Sequence, residues 1–325
     1  MATMTHDRTA SRLRSGLICA VASASSFALS GPLARGLMNA GWSSASVVAV
    51  RVLVAGAVLA PIAAVQLRGN WQLLRRNILL LTAYGLVAVA GTQLAYFNAV
   101  ARLPVGVALL IEYTAPIAVV GWLWLRHRER PGTTTVLGGA VGIVGLLLVI
   151  DLRSDTPTSW LGVIWALTAM IGAAAYFVLS TKGDGTLPGT VLAAGGLLIG
   201  GAALLAAGAI GVVPLAATTN PVVFQGFTTQ WWIPVLILGT VTAALAYVAG
   251  IAATRLLGAR LAAFFGLFEV LATLGFAWAL LGETPRPSQL LGGALILAGV
   301  VVVRRGESAE ATRALDGQST VVKAQ

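Results

Sequence analysis

Two carboxylates stand alone in long apolar runs. Glu112 lies in LLIEYTAPIAVV (109–120) and Glu269 in AFFGLFEVLATLG (263–275). In a bilayer an isolated carboxylate costs several kcal/mol, roughly 2.5–3.5 on insertion scales. A chain that retains one uses it to bind a cation, to carry a proton, or to tie helices together through an arginine or a hydroxyl. Pro116 sharpens the case for Glu112. A proline removes the amide that would bond the carbonyl four residues back, which here belongs to Glu112. That residue then offers a carboxylate and a freed backbone oxygen at one level, a pairing suited to an ammonium group; a plain helix kink is the alternative. At 1.5 Å per residue, Glu112 sits about 12 Å from Pro104 and Glu269 about 18 Å from Leu281, so the two reach similar depths.

Other polar groups share these apolar runs. Arg51 lies about eight residues into its run; it either snorkels to water or pairs with a glutamate or a substrate carboxylate. Gln93, Tyr96 and Asn98, in YGLVAVAGTQLAYFNAV (84–100), are candidates to line a cavity with Tyr113 and Thr114. Tyr176 and Tyr247 are the expected counterparts later in the chain. Each of these also suits an interhelical hydrogen bond.

The elements that position these groups follow from composition. The 325 residues are 58% hydrophobic and only 10% charged, against about 25% charged in soluble domains. The apolar runs are long and do not alternate, which predicts a helical membrane protein rather than a barrel. Ten spans are expected, at about 16–38, 43–66, 77–99, 104–125, 133–151, 159–180, 188–211, 231–252, 258–281 and 287–303. HDRTASRLRSGLICAVASASSFALSG resembles a signal peptide, but its apolar run continues through Leu37, so a retained first helix is expected. The longest connection, 212–230, is uncharged and contains Pro214 and Pro221; the polar tail, 305–325, is expected to be disordered. SGPLARG (30–36) places Pro32 within the first helix, where it is a candidate gate.

Several classes of function are excluded or disfavoured. Cys19 is the only cysteine, and His6 and His127 lie apart in polar segments, so no metal centre and no cofactor is expected. There is no phosphate-loop lysine motif; the glycine-rich GGAVGIVG and GGALILAG lie inside apolar runs and read as close helix packing. The paired histidine and aspartate clusters of membrane-embedded enzymes are absent from the sequence. The net charge of +10 is a topological bias and not a nucleic-acid surface: sixteen Arg and Lys fall on one side of the ten-span map and Arg35, Arg102, Arg153 and Arg286 on the other, with Arg51 inside a span. This places both termini in the cytoplasm. Trp42, Trp160, Trp231 and Trp232 at one interface, and Trp122 and Trp124 at the other, suit interfacial anchors.

An internal repeat organises the map. PIAVVGWLWLRHRERPGTTTVLGGAVGIVG (116–145) aligns with VLATLGFAWALLGETPRPSQLLGGALILAG (270–299), placing Glu129 on Glu283, Pro131 on Pro285, and Gly138, Gly139 and Gly145 on Gly292, Gly293 and Gly299. Each half holds an odd five spans, so the halves are expected to lie inverted in the membrane, with a substrate site near the midplane. The expected organisation is a cytoplasmic segment 1–15, a first five-helix repeat 16–151, a second repeat 159–304, and the tail 305–325.

These stretches resemble the drug/metabolite transporter superfamily in its EamA-type form of two five-helix repeats. The likeness is strongest at LPVGVALLIEYTAP (103–116) and across 254–299. The first stretch is similar to the threonine/homoserine exporter branch through Leu103, Pro104, Gly106, Glu112, Tyr113, Thr114 and Pro116. The second carries the superfamily's closing Gly-Glu, here Gly282 and Glu283. One departure stands out: Val270 follows Glu269 where the second repeat usually has proline. The resemblance implies an all-α carrier of the bacterial inner membrane that exports small metabolites, amino acids or related amines among them. Its partners would be a small-molecule substrate and the bilayer, as a monomer or homodimer. An importer or facilitator of the same fold is the first alternative, and a membrane-embedded enzyme or assembly protein a remoter one. Without a nucleotide site, the energy source is expected to be an ion gradient, most simply protons carried on a buried glutamate.

Overall fold

The structure is a computed structural model and describes residues 2–127, 132–150, 159–181, 187–257 and 259–323. Expectations resting on Arg128, Glu129, Arg130, Pro131, Arg153 and Lys182 lie outside the described residues, as does the side chain of Tyr176.

The described chain is mostly helical. In order it runs α1 (Ala2–Ala28), α2 (Ser30–Asn39), α3 (Ser44–Leu67), α4 (Gln72–Arg76), α5 (Ile78–Ala83), a π-helical segment π1 (Tyr84–Gly91) and α6 (Thr92–Val100). It continues with α7 (Val105–Glu112), α8 (Ala115–His127), α9 (Thr133–Ile150), α10 (Trp160–Thr181) and α11 (Gly189–Ala209). A hairpin of β1 (Val222–Phe224) and β2 (Phe227–Thr229) precedes α12 (Trp232–Gly239), π2 (Thr240–Leu245), α13 (Ala246–Leu257), α14 (Ala259–Leu281) and α15 (Pro287–Lys323). Among the described residues, six stretches are long and apolar enough to cross a membrane by length and composition: Arg14–Asn39, Ser44–Leu67, Ile78–Val100, Thr133–Ile150, Gly189–Ala209 and Trp232–Gly250. Four shorter apolar stretches are Val105–Gly121, Trp160–Ala175, Phe268–Leu281 and Pro287–Val303. Each overlaps one span expected from the sequence.

Two of the helix breaks fall where the backbone loses a donor. Pro32 deprives the Ala28 carbonyl of its partner, and α1 gives way to α2 at Leu29; the Thr273 hydroxyl lies 3.4 Å from that carbonyl, a long contact. Pro116 acts likewise, and α7 ends at Glu112 before α8 begins at Ala115.

Helix packing places distant segments side by side. α1 lies against α13 and α14; α10 lies against α6 and α7; α3 packs on α11, and α9 on α15. The last pair is close enough to need glycine. A Cβ on Gly138 would fall 2.8 Å from the Gly299 carbonyl oxygen, and one on Gly299 2.6 Å from that of Gly138. Gly145 and Gly292 repeat the relation at 2.6 Å in both directions. Gly138 precedes Gly145 while its partner Gly299 follows Gly292, so the two helices run antiparallel. The motifs GGAVGIVG and GGALILAG thus pack backbone on backbone, as small residues do in apolar surroundings.

Two features differ from expectation. The 212–230 connection contains the β-hairpin, turned at Gly226 (φ +87°). It is docked through the Gln225 amide, which donates to the Leu280 carbonyl at 2.7 Å, and through buried Val222 and Phe224 packed on Gly36. The tail, expected to be disordered, continues α15 to Lys323. Its ESAEATRAL run is rich in helix formers, which carries the preceding helix onward.

Candidate functional site

Five elements bring polar groups together inside the apolar bundle: α3, α6, π2, the α7–α8 break and α14. Arg51, on α3, is 4% exposed. Its Nε donates to Thr242 Oγ1 at 3.3 Å, its Nη2 to the Thr242 carbonyl at 3.1 Å, and its Nη1 to Gln93 Oε1. The guanidinium carbon lies 5.6 Å from the centroid of the Phe97 ring, within range of a cation–π attraction. Arg51 therefore neither snorkels to water nor forms a direct carboxylate pair. Neutral oxygens on two helices hold it, because a buried guanidinium needs its donors satisfied where it lies. Glu112 and Glu269 act on it through space, as do Tyr96 and Tyr247.

Glu112 ends α7 at the break and is half-buried. Among the described residues its carboxylate has no hydrogen-bond partner, yet its oxygens are not sealed from a probe. Glu269 acts on it electrostatically, and so does Arg51. Glu269, half-buried on α14, accepts a hydrogen bond from Tyr113 Oη at 2.9 Å. One residue of the break thus reaches across to the second carboxylate while its neighbour's carboxylate is left open.

The remaining candidates divide. Tyr96 is buried and feels both glutamates and Arg51. Gly31 leaves room for it: a Cβ there would lie 2.9 Å from Tyr96 Oη. Tyr247 packs edge-on against Phe27, at a 5.3 Å centroid distance and 82°. Gln93 belongs to the Arg51 cluster. Thr114 does not join the open site: its hydroxyl lies 2.6 Å from the Ile111 carbonyl and 2.9 Å from Met170 Sδ. Asn98 is also apart. Its Nδ2 donates to the Leu94 carbonyl at 2.8 Å and its Oδ1 accepts from Arg102 Nη1 at 3.0 Å. It lines a separate cavity of about 690 Å³ with Trp42, Trp165 and Arg102.

Sequence reasoning missed two participants. Thr242 carries Arg51, and nothing in its apolar run sets it apart from Thr240 two residues earlier. Glu283 stands out in the sequence only through the internal repeat and the closing Gly-Glu. In the structure its Oε2 accepts the Val105 amide at 2.8 Å, 178 residues away in sequence. Pro104, at the start of α7, provides no side-chain cap, so Glu283 caps the helix that carries Glu112. Burial pushes the Glu283 carboxyl above the usual range, while the Val105 amide and Arg35 pull it down. Among the described residues no three histidine, cysteine, aspartate or glutamate side chains group as a metal site would require.

A bundle of apolar helices enclosing two carboxylates and a fastened guanidinium defines a multi-pass membrane protein with a charged interior. The family model of the EamA-like transporters matches residues 14–151 and again 160–305. The chain belongs to this EamA-like transporter family, within the drug/metabolite transporter superfamily, and is a membrane transporter. A relative named "Uncharacterized transporter" from Archaeoglobus fulgidus is 26% identical over 230 residues, covering 71% of this chain and 77% of that protein. One solved crystal structure shares the fold, with a TM-score of 0.56 at 18% identity over 90% of this chain and 97% of the other. Family and relative both point to transport rather than catalysis.

Proposed function

We propose that the protein is a secondary carrier that exports small amine-bearing metabolites, amino acids among them, by alternating access coupled to protons. The observation that carries this reading is the open Glu112 carboxylate, set beside Glu269 and within the field of Arg51. A carboxylate without a protein partner in an apolar interior is prepared to receive one from outside, an ammonium group or a proton. The two events compete for one group, and that competition is the coupling.

The architecture supports an alternating mechanism. The family matches the chain twice. Packing is reciprocal between the two matched segments: α1 on α13 and α14 mirrors α10 on α6 and α7, and the glycine pairs of α9 and α15 are self-complementary. These relations favour two inverted five-helix repeats, ten spans in all, with the site between them. The charge bias favours cytoplasmic termini in a bacterial inner membrane.

Reconstituted protein in proteoliposomes tests the reading. A panel of amines and amino acids, with and without a pH gradient, should reveal a cargo whose movement acidifies or alkalinises the lumen. Cargo that equilibrates without regard to the gradient would make the protein a facilitator, and counterflow would show its direction. Reporter fusions in 67–76 should read cytoplasmic and those in 212–230 external; a cytoplasmic reading for 212–230 refutes the inverted arrangement.

A further inference from the structure

The two π-helical segments occupy matching places. At the 154-residue offset of the repeat, 84–91 falls on 238–245, which contains π2, Thr240–Leu245. A π segment shifts bonding to i→i+5 and takes carbonyl groups out of the regular ladder, and such segments recur where helices must bend for function. Each displaced carbonyl then needs another donor.

The chain meets that need differently at the two places. Beside π1 the glycines of α11 bring backbone onto backbone. A Cβ on Gly200 would lie 2.7 Å from the Gly85 carbonyl oxygen, and one on Gly85 2.9 Å from that of Gly196. From the first residue of α6, Thr92 Oγ1 donates back to the Val87 carbonyl of the segment at 2.9 Å. Beside π2 the donor is a charge. Arg51 Nη2 reaches the Thr242 carbonyl and its Nε the Thr242 hydroxyl, which itself donates to the Leu238 carbonyl at 2.8 Å. Thr242 is fully buried, so water does not replace these bonds. The other arm of the same guanidinium holds Gln93, two residues beyond the end of π1.

We propose that Arg51 is a positioning residue: a clasp that joins the two π-bulged helices across the site and is not a ligand for the cargo. Its planar fork spans two helices at once, which a point charge does not do. Both glutamates pull on it electrostatically, so the charge state of the cargo site biases how firmly the clasp holds. Cargo binding at the carboxylates and bending of the helices at π1 and π2 are thereby joined through one side chain. The clasp rests on the transporter reading for its purpose, but its geometry is testable without any cargo.

Hydrogen exchange on the purified full-length protein in nanodiscs is the direct test. Arg51→Met should speed amide exchange in 238–246 and 84–94 by about tenfold, leaving the α9–α15 pair unchanged. Arg51→Lys should recover less than half of the protection. If Arg51→Met does not fold, Gln93→Leu, which leaves Arg51 in place, should loosen 84–94 and 238–246 to a smaller degree. Unchanged exchange at 238–246, or equal loosening of α9 and α15, overturns the clasp. A second readout separates positioning from cargo binding. With any amine found to be transported, Arg51→Met should cut maximal rate by about tenfold while apparent KM stays within about threefold. A rise in KM at constant rate makes Arg51 a ligand and ends the proposal. Exchange as expected with no transported amine leaves the clasp standing and counts against the transport reading alone.

Discussion

Tyr113 Oη donates to Glu269 Oε2 at 2.9 Å, across 156 residues of sequence. The bond joins the break between α7 and α8 to the middle of α14, and it occupies one carboxylate while leaving the other open. Tyr113→Phe keeps the ring and deletes the donor. It should lower unfolding free energy by about 1–3 kcal/mol, since the lost bond is to a carboxylate in an apolar setting. Chemical denaturation of the detergent-solubilised protein measures this; a stability equal to wild type would show that the bond contributes nothing.

Glu112 should behave in the opposite way. Glu112→Gln removes charge and leaves shape, and no described protein group bonds the lost oxygen. Stability should stay within about 0.5 kcal/mol of wild type, while concentrative transport of amine cargo is lost. Both quantities can be read on one purified sample. A destabilised mutant with full transport per folded molecule would make Glu112 a structural tie.

Glu283 predicts a pH dependence. Its folded carboxyl titrates above the ordinary range because of burial. The native state therefore binds more protons than the unfolded one between those two values, and stability falls as pH rises through that window. Glu283→Gln should flatten this slope in thermal melts taken from mildly acid to neutral pH. Glu283→Ala should in addition remove the cap of α7, at a cost of about 0.5–2 kcal/mol. An unchanged slope in Glu283→Gln assigns the titration elsewhere.

The glycine pairs predict a coupled cost. Gly145→Ala and Gly292→Ala each press a methyl against the facing carbonyl oxygen at 2.6 Å, which should cost about 1–3 kcal/mol by overpacking. The double mutant should cost less than the sum, because one separation of α9 from α15 relieves both. Strict additivity of the two melting shifts would show that the contacts yield independently.

Much of the central cluster was legible because charge is so costly in an apolar run that each intramembrane ionisable group stands out. Glu112, Glu269 and Arg51 were marked in this way and do lie in one electrostatic neighbourhood. Asn98 was not separable from Gln93 by composition. Five residues move a side chain about 7.5 Å along the axis and about 140° around it, enough to place Asn98 in another cavity. The π segments left no trace, since YGLVAVAG and TVTAAL are made mostly of small apolar residues and contain no proline. The cap on α7 was hidden for another reason: its donor and acceptor lie 178 residues apart, and local capping rules look only one turn ahead. The tail is polar, which by itself indicates disorder, but its alanines, glutamates and leucine favour a helix that continues α15.

The crossing of α9 and α15 has a consequence for biogenesis. Gly145 finds its place only against Gly292, and Gly138 only against Gly299. At about 5–20 residues per second, a ribosome needs roughly 8–30 s to make the intervening chain. During that interval α9 lies in the bilayer with its glycine face unpaired, and α1 and α3 wait in the same way for α13, α14 and α11, which are synthesised later. The nascent N-terminal portion is thus a set of inserted but unassembled helices. Surveillance proteases that recognise unpaired membrane helices would meet it at every round of synthesis, before the last span closes the bundle.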